Sequence, residues 1–206
     1  MSYKIVICIF LLASLATYVS LYICNYINNN DQQDINCQIK TKLTLSLVNG
    51  ILVSLLFIKY SLNIYSFLYV LLWLILFVIS YIDYSTKYIY DITTKPLKIV
   101  AYILFVINLI SGVTNLKDII WLLIAISIVI LFSKLKYIGK GDISVFCATM
   151  MVLNTFMGSL ILLVFSFGVS GVVSIFLLAF KKIGLDHRKP LCPSIAVAMY
   201  IILILT

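Results

Sequence analysis

Residues able to do acid–base chemistry are scarce in this sequence. Its 206 residues include seven acidic side chains, all of them aspartate, and one histidine, His187. Two of the aspartates, Asp83 and Asp142, stand where a long apolar run meets a polar segment. A carboxylate at a lipid boundary is costly unless it is solvated, paired or functional. Taken singly, each reads as a loop charge near the headgroups. Asp142 has a more specific setting, because it closes the run Gly139-Lys140-Gly141-Asp142. At this chain's own glycine and aspartate frequencies, a G-x-G-D run is expected about 0.01 times in its length. The glycines let the backbone turn tightly and approach a neighbour closely, so Asp142 can lean towards another helix. Two carboxylates held together share a proton, since like charges a few ångströms apart do not both ionise cheaply. One is then a base that activates water against a carbonyl, and the other an acid that supports the oxyanion and the leaving amine. No covalent nucleophile is needed. His187 has neither triad nor metal spacing around it and reads as a solvated loop residue. The five cysteines, Cys8, Cys24, Cys37, Cys147 and Cys192, form no C-x-x-C pair, so neither a disulfide framework nor a zinc site is expected.

The elements that must position these residues are membrane helices. The chain is 64% hydrophobic and only 11% charged, against about one quarter charged in a soluble domain. Its net charge of +8 is spread in short groups between apolar runs and forms no stripe, so nucleic acid is not the expected partner. The bilayer is. A hydrocarbon layer about 30 Å thick needs about 20 helical residues. Eight segments are candidate spans: 5–23, 43–58, 64–82, 99–113, 119–132, 143–156, 159–180 and 191–205. Residues 143–180 as a single helix would run about 57 Å, so a turn is required near Asn154 to Ser159. The N-terminal run is longer than a signal h-region, lacks a small-x-small cleavage site, and reads as a retained span.

Loop charge supports this count. With the N-terminus outside, twelve basic residues fall on the inner side: Lys40, Lys42, Lys87, Lys95, Lys98, Lys134, Lys136, Lys140, Lys181, Lys182, Arg188 and Lys189. Only Lys4, Lys59 and Lys117 fall outside, as the positive-inside rule requires. Asp83 and Asp142 then lie at the inner ends of the third and sixth spans, on the same face. The chain is expected to be an all-α, polytopic, single-domain membrane protein with a short N-terminal part, 1–58, before a core of 59–206.

With these residues in place, the sequence resembles the type 4 prepilin peptidases and their archaeal preflagellin relatives. The family's first aspartate opens a segment of Asp, six residues, Pro, Asp, two residues, Thr, one residue, Pro. Here Asp83, Asp91, Thr94 and Pro96 fall in that register, with Tyr90 where proline is usual. Lys189-Pro190-Leu191-Cys192-Pro193 is similar to the family's Ile-Pro-Phe-Gly-Pro before the last span, with Cys192 where glycine is common. The resemblance covers most of the chain from Ile64 onward. It implies an aspartyl endopeptidase in the bacterial cytoplasmic membrane that removes a short basic leader from prepilin or pseudopilin precursors. It implies Asp83 and Asp142 as catalytic residues, with Gly139, Lys140, Gly141, Asp91, Thr94 and Pro96 shaping the site. Asp91 competes with Asp83 for the first catalytic place, and the register favours Asp83; Asp91 is expected to cap its loop. Asp31, Asp34, Asp118 and Asp186 read as loop charges.

Many family members carry a larger inner loop with two zinc-binding C-x-x-C pairs and also methylate the product with S-adenosylmethionine. Here the loop 25–42 is short. Peptidolysis without a cofactor and no zinc are expected, while S-adenosylmethionine-dependent methylation stays open, with its usual segment abbreviated. Another class is a small ion- or proton-coupled transporter using the same aspartates; it calls for midplane acids and an internal repeat, and neither is evident. A structural membrane subunit would make Gly139 and Gly141 mere turn residues. Presenilin-like proteases share G-x-G-D but pair it with a Tyr-Asp catalytic dipeptide and a Pro-Ala-Leu motif; here Asp83 follows Ile82, and no Pro-Ala-Leu appears.

Overall fold

The computed structural model describes residues 3–30, 39–61, 63–135, 138–180 and 190–205. Cys37, Asp31, Asp34, Lys136, Lys181, Lys182, Asp186, His187, Arg188 and Lys189 lie outside them. Among the described residues the structure is all helical, with α1 Tyr3–Asn30, α2 Ile39–Tyr60, α3 Ile64–Thr86, α4 Asp91–Ile110, α5 Leu116–Lys134, α6 Lys140–Leu153, α7 Phe156–Ala179 and α8 Cys192–Leu205. Six of these, α1 to α5 and α7, are long and apolar enough to cross a membrane. Large apolar side chains such as Leu11, Leu12, Leu15, Ile175 and Phe176 are exposed along them. Lipid is the solvent that accepts such surfaces, and these features are those of a multi-pass membrane protein.

The exceptions are α6 and α8, at 14 residues each. At 1.5 Å per residue each is about 21 Å long. They are also among the most enclosed helices: Val145, Phe146 and Met150 on α6, and Ile195, Ala198 and Met199 on α8, are inaccessible. Hydropathy alone does not separate a helix wrapped by others from one bathed in lipid, because both are apolar.

Local sequence explains the ends. α6 stops at Asn154, which takes the left-handed conformation with φ 53°. Thr155 then caps α7, its hydroxyl accepting the N–H of Gly158 at 3.1 Å. These two residues supply the turn that the length of 143–180 demands. α4 starts at Asp91, well before the apolar stretch from Ile99. An acid in a first helical turn is favoured by the helix dipole, and Thr93 donates to the Tyr90 carbonyl at 2.7 Å.

The chain forms two compact units, Met1–Val78 and Ile79–Thr206, divided within α3. In the first, α1 packs along α2. Gly50 permits the close approach, since a Cβ there would collide with the Ser14 hydroxyl and press on Phe10. The interior holds a neutral polar chain. Trp73 Nε1 donates to Asn49 Oδ1 at 2.7 Å, Asn49 Nδ2 donates to Thr17 Oγ1 at 2.8 Å, and Thr17 donates to the Ala13 carbonyl at 2.7 Å. In the second unit α6 packs against α4, α5, α7 and α8, and α7 against α5 and α8. The Phe146 ring stacks near Phe167 with centroids 6.1 Å apart, and Trp121 meets Phe156 at 4.6 Å.

Candidate functional site

Three helices of the second unit end at one point. Asp83 lies in the last turn of α3, Asp142 in the first turn of α6, and Cys192 is the first residue of α8. A carboxylate oxygen from each aspartate and the Cys192 sulfur all lie within 4.8 Å of one another. Asp83 is 4% exposed and Cys192 wholly buried, while Asp142 is half-buried.

Asp83 is held by the start of α8. The first amides of a helix have no partner within it. The Cys192 N–H, one of these, donates to Asp83 Oδ2 at 3.0 Å. One turn back on α3, Ser80 Oγ donates to the Cys192 carbonyl at 3.3 Å. The end of α3 thus grips both the N–H and the C=O of Cys192. On its other side Cys192 presents Sγ to Asp142 Oδ1 at 3.7 Å, long for a donor bond and weak as one.

Asp142 folds back towards the start of its own helix, which explains the glycines. Gly139 is the α6 N-cap with φ −66° and ψ 148°, a conformation any residue adopts. Its requirement is space, because a Cβ there would stand 2.9 Å from Asp142 Oδ2. Gly141 serves another contact: a Cβ would approach Ile89 Cβ to 2.8 Å. The glycines thus admit the carboxylate on one side and the segment between α3 and α4 on the other.

Charge follows from this layout. At 4.8 Å, with an effective dielectric of about 20, two full negative charges repel by about 3.5 kcal/mol. Each helix N-terminus facing a carboxylate offsets about 0.3–1 kcal/mol. Repulsion wins, and no described Lys or Arg pairs with either carboxylate. A single proton held between the two relieves it. The arrangement is chemically able to hold a water between an acid and a base, and its donor set is also one that binds a cation.

Of the other residues singled out from the sequence, Asp91, Lys140 and Pro96 are exposed. Thr94 is buried, but its hydroxyl donates to the Asp91 carbonyl at 3.1 Å within α4. None of the four is tied to the carboxylates by a hydrogen bond or ion pair. Cys192 is the residue whose role sequence reasoning missed. A signal was present: proline cannot extend a helix ladder backwards, so Pro193 marks a helix start and leaves the preceding amide in search of an acceptor.

Fold and site together define a class: a helical multi-pass membrane protein with a carboxylate pair, Asp83 buried and Asp142 half-buried, where three helix ends meet. No family model, curated protein or solved structure matches the chain.

Proposed function

We propose that the protein is an intramembrane aspartyl endopeptidase of the type 4 prepilin peptidase kind, with Asp83 and Asp142 as its catalytic pair. The observation that carries this reading is the meeting of the two carboxylates within 4.8 Å, although they come from separate helices. Loop-to-loop coincidence does not bury one acid to 4% exposure and shape glycines around the other.

In the proposed mechanism the ionised carboxylate takes a proton from water as the water attacks the scissile carbonyl. The protonated carboxyl donates to the developing oxyanion. The proton taken from water then goes to the leaving amine, and the pair returns to one shared proton. The Cys192 N–H at 3.0 Å stabilises Asp83 as an anion, which favours Asp83 as the base and leaves the proton on Asp142. No cofactor enters the cleavage.

The reading places all eight helices across the bacterial cytoplasmic membrane, N-terminus outside, with the site at the inner boundary. α6 and α8, each about 21 Å, cross where the bilayer is thinned. A prepilin or pseudopilin precursor presents its apolar helix from the lipid and its basic leader from the cytoplasm.

The test incubates purified protein with a pilin-like precursor in detergent and compares wild type with Asp83→Asn and Asp142→Asn. Cleavage by wild type and its loss in both variants is expected. Undiminished cleavage by either variant removes the assignment. Absence of cleavage together with aspartate-dependent ion flux in vesicles replaces it with transport.

A further inference from the structure

We propose that Asp83, Asp142 and Cys192 form a binding site for a thiophilic divalent cation of the Zn2+ or Cd2+ type, and that the bound cation blocks the carboxylate pair. The blocking rests on the peptidase reading; the binding does not.

Three observations lead here. The first is the donor set. Two carboxylates and a thiol from α3, α6 and α8 place one donor atom each within 4.8 Å of the others. A thiolate among oxygen donors selects borderline and soft cations over Mg2+ and Ca2+, which prefer oxygen alone.

The second is spacing. In a tetrahedral zinc centre with Zn–S about 2.3 Å and Zn–O about 2.1 Å, sulfur and oxygen lie about 3.6 Å apart. Cys192 Sγ and Asp142 Oδ1 are 3.7 Å apart. Capture of a cation therefore asks for little movement of these two atoms.

The third is charge. Asp83 at 4% exposure and the half-buried Asp142 have no ion-pair partner among the described residues. Buried carboxylates are ordinarily paired or metal-bound. Proton and cation compete for the same place. On binding, the cation displaces the proton shared by the carboxylates and the proton of the thiol, and both pass to solvent. Two carboxylates and a thiolate around a dication carry the same net single negative charge as the half-protonated pair beside a neutral thiol. Metal capture buries no additional charge, and the cation then stands where the reaction needs a proton and a water.

The experiment uses the full chain in detergent with Cys8, Cys24, Cys37 and Cys147 replaced by serine, so that Cys192 is the sole thiol. CdCl2 is titrated while the ultraviolet thiolate-to-cadmium charge-transfer band is followed. The expected result is a band saturating at one cadmium per chain. It is lost in Cys192→Ala, needs at least about tenfold more cadmium in Asp142→Asn, and survives excess MgCl2. Helical circular dichroism of each variant shows that it is folded, and Cys192→Ser keeps the size of the side chain should alanine unfold it. Absence of the band in the folded sole-thiol protein, or a band indifferent to Asp142→Asn, overturns the site. In the peptidase assay ZnCl2 inhibits, a chelator restores cleavage, and Cys192→Ala is at least about tenfold less sensitive relative to its own metal-free rate. Equal sensitivity of wild type and Cys192→Ala overturns the blocking. A cadmium band without cleavage keeps the cation site and removes the peptidase reading; cleavage without a band does the reverse.

Discussion

Two polar clusters, one in each unit, are built in different ways. In Met1–Val78 the buried chain Trp73, Asn49, Thr17 is neutral, and each side-chain bond measures 2.7–2.8 Å. Each link joins a donor to an acceptor, so the network ties α1, α2 and α3 together. In Ile79–Thr206 the cluster at the helix ends holds two carboxylates and a thiol, with Asp83 and Cys192 buried and Asp142 half-buried, and its like charges leave a proton or cation still to be supplied. Satisfied neutral networks are what packing in lipid favours. Like charges gathered in an apolar interior work against stability and point to chemistry. The contrast is the ground for the proposed reading, in which the first network is structural and the second does chemistry.

Substitutions test that contrast, beginning at the pair itself. Asp83→Asn and Asp142→Asn are expected to lower cleavage about a hundredfold to ten-thousandfold while leaving helical circular dichroism intact. Cleavage measured against pH in chelated buffer should be bell-shaped. On the acid side both carboxyls are protonated and the base is lost; on the alkaline side both are ionised and the acid is lost.

Gly139→Ala comes next. The new Cβ stands 2.9 Å from Asp142 Oδ2, so the carboxylate must shift or the helix start must move. A displacement of about 1 Å costs about a hundredfold in rate. An unchanged rate in a folded Gly139→Ala protein would mean that the position of Asp142 is not critical.

Asn49→Leu in the first unit should show the opposite pattern. It removes the acceptor of Trp73 Nε1 and the donor to Thr17, with an expected loss of about 1–2 kcal/mol. Thermal unfolding in detergent reads the loss, and the cleavage rate of the folded protein should be unchanged. A large fall in rate with unchanged stability would break the assignment of this network to structure.

The smallest effect is expected at Asp91. It is exposed in the first turn of α4 and pairs with no described residue. Asp91→Asn removes a favourable interaction with the helix dipole worth less than about 1 kcal/mol. Cleavage should match wild type, which separates Asp91 from Asp83 despite their shared segment.

Much of the fold was legible in the sequence because hydropathy and helix length are local properties. Each of the eight apolar segments contains or overlaps a helix, and the required turn after α6 falls at Asn154 and Thr155. The start of α4 was less legible, because Asp91 to Lys98 is polar enough to resemble a loop while carrying a good helix-start pattern. Asp83 and Asp142 stood out because a chain without glutamate has few carboxylates, and because two glycines precede one of them.

The sequence by itself determined a lipid-solvated helical chain and the two carboxylates most suited to act together. Tertiary structure alone decided that Asp83 meets the start of α8 rather than solvent, and that Cys192 faces both acids. It also decided that Gly139 is needed for the room it leaves to Asp142, since its φ of −66° suits any residue. These features depend on helix ends far apart in the chain converging, and no periodicity within one segment encodes where another segment will end.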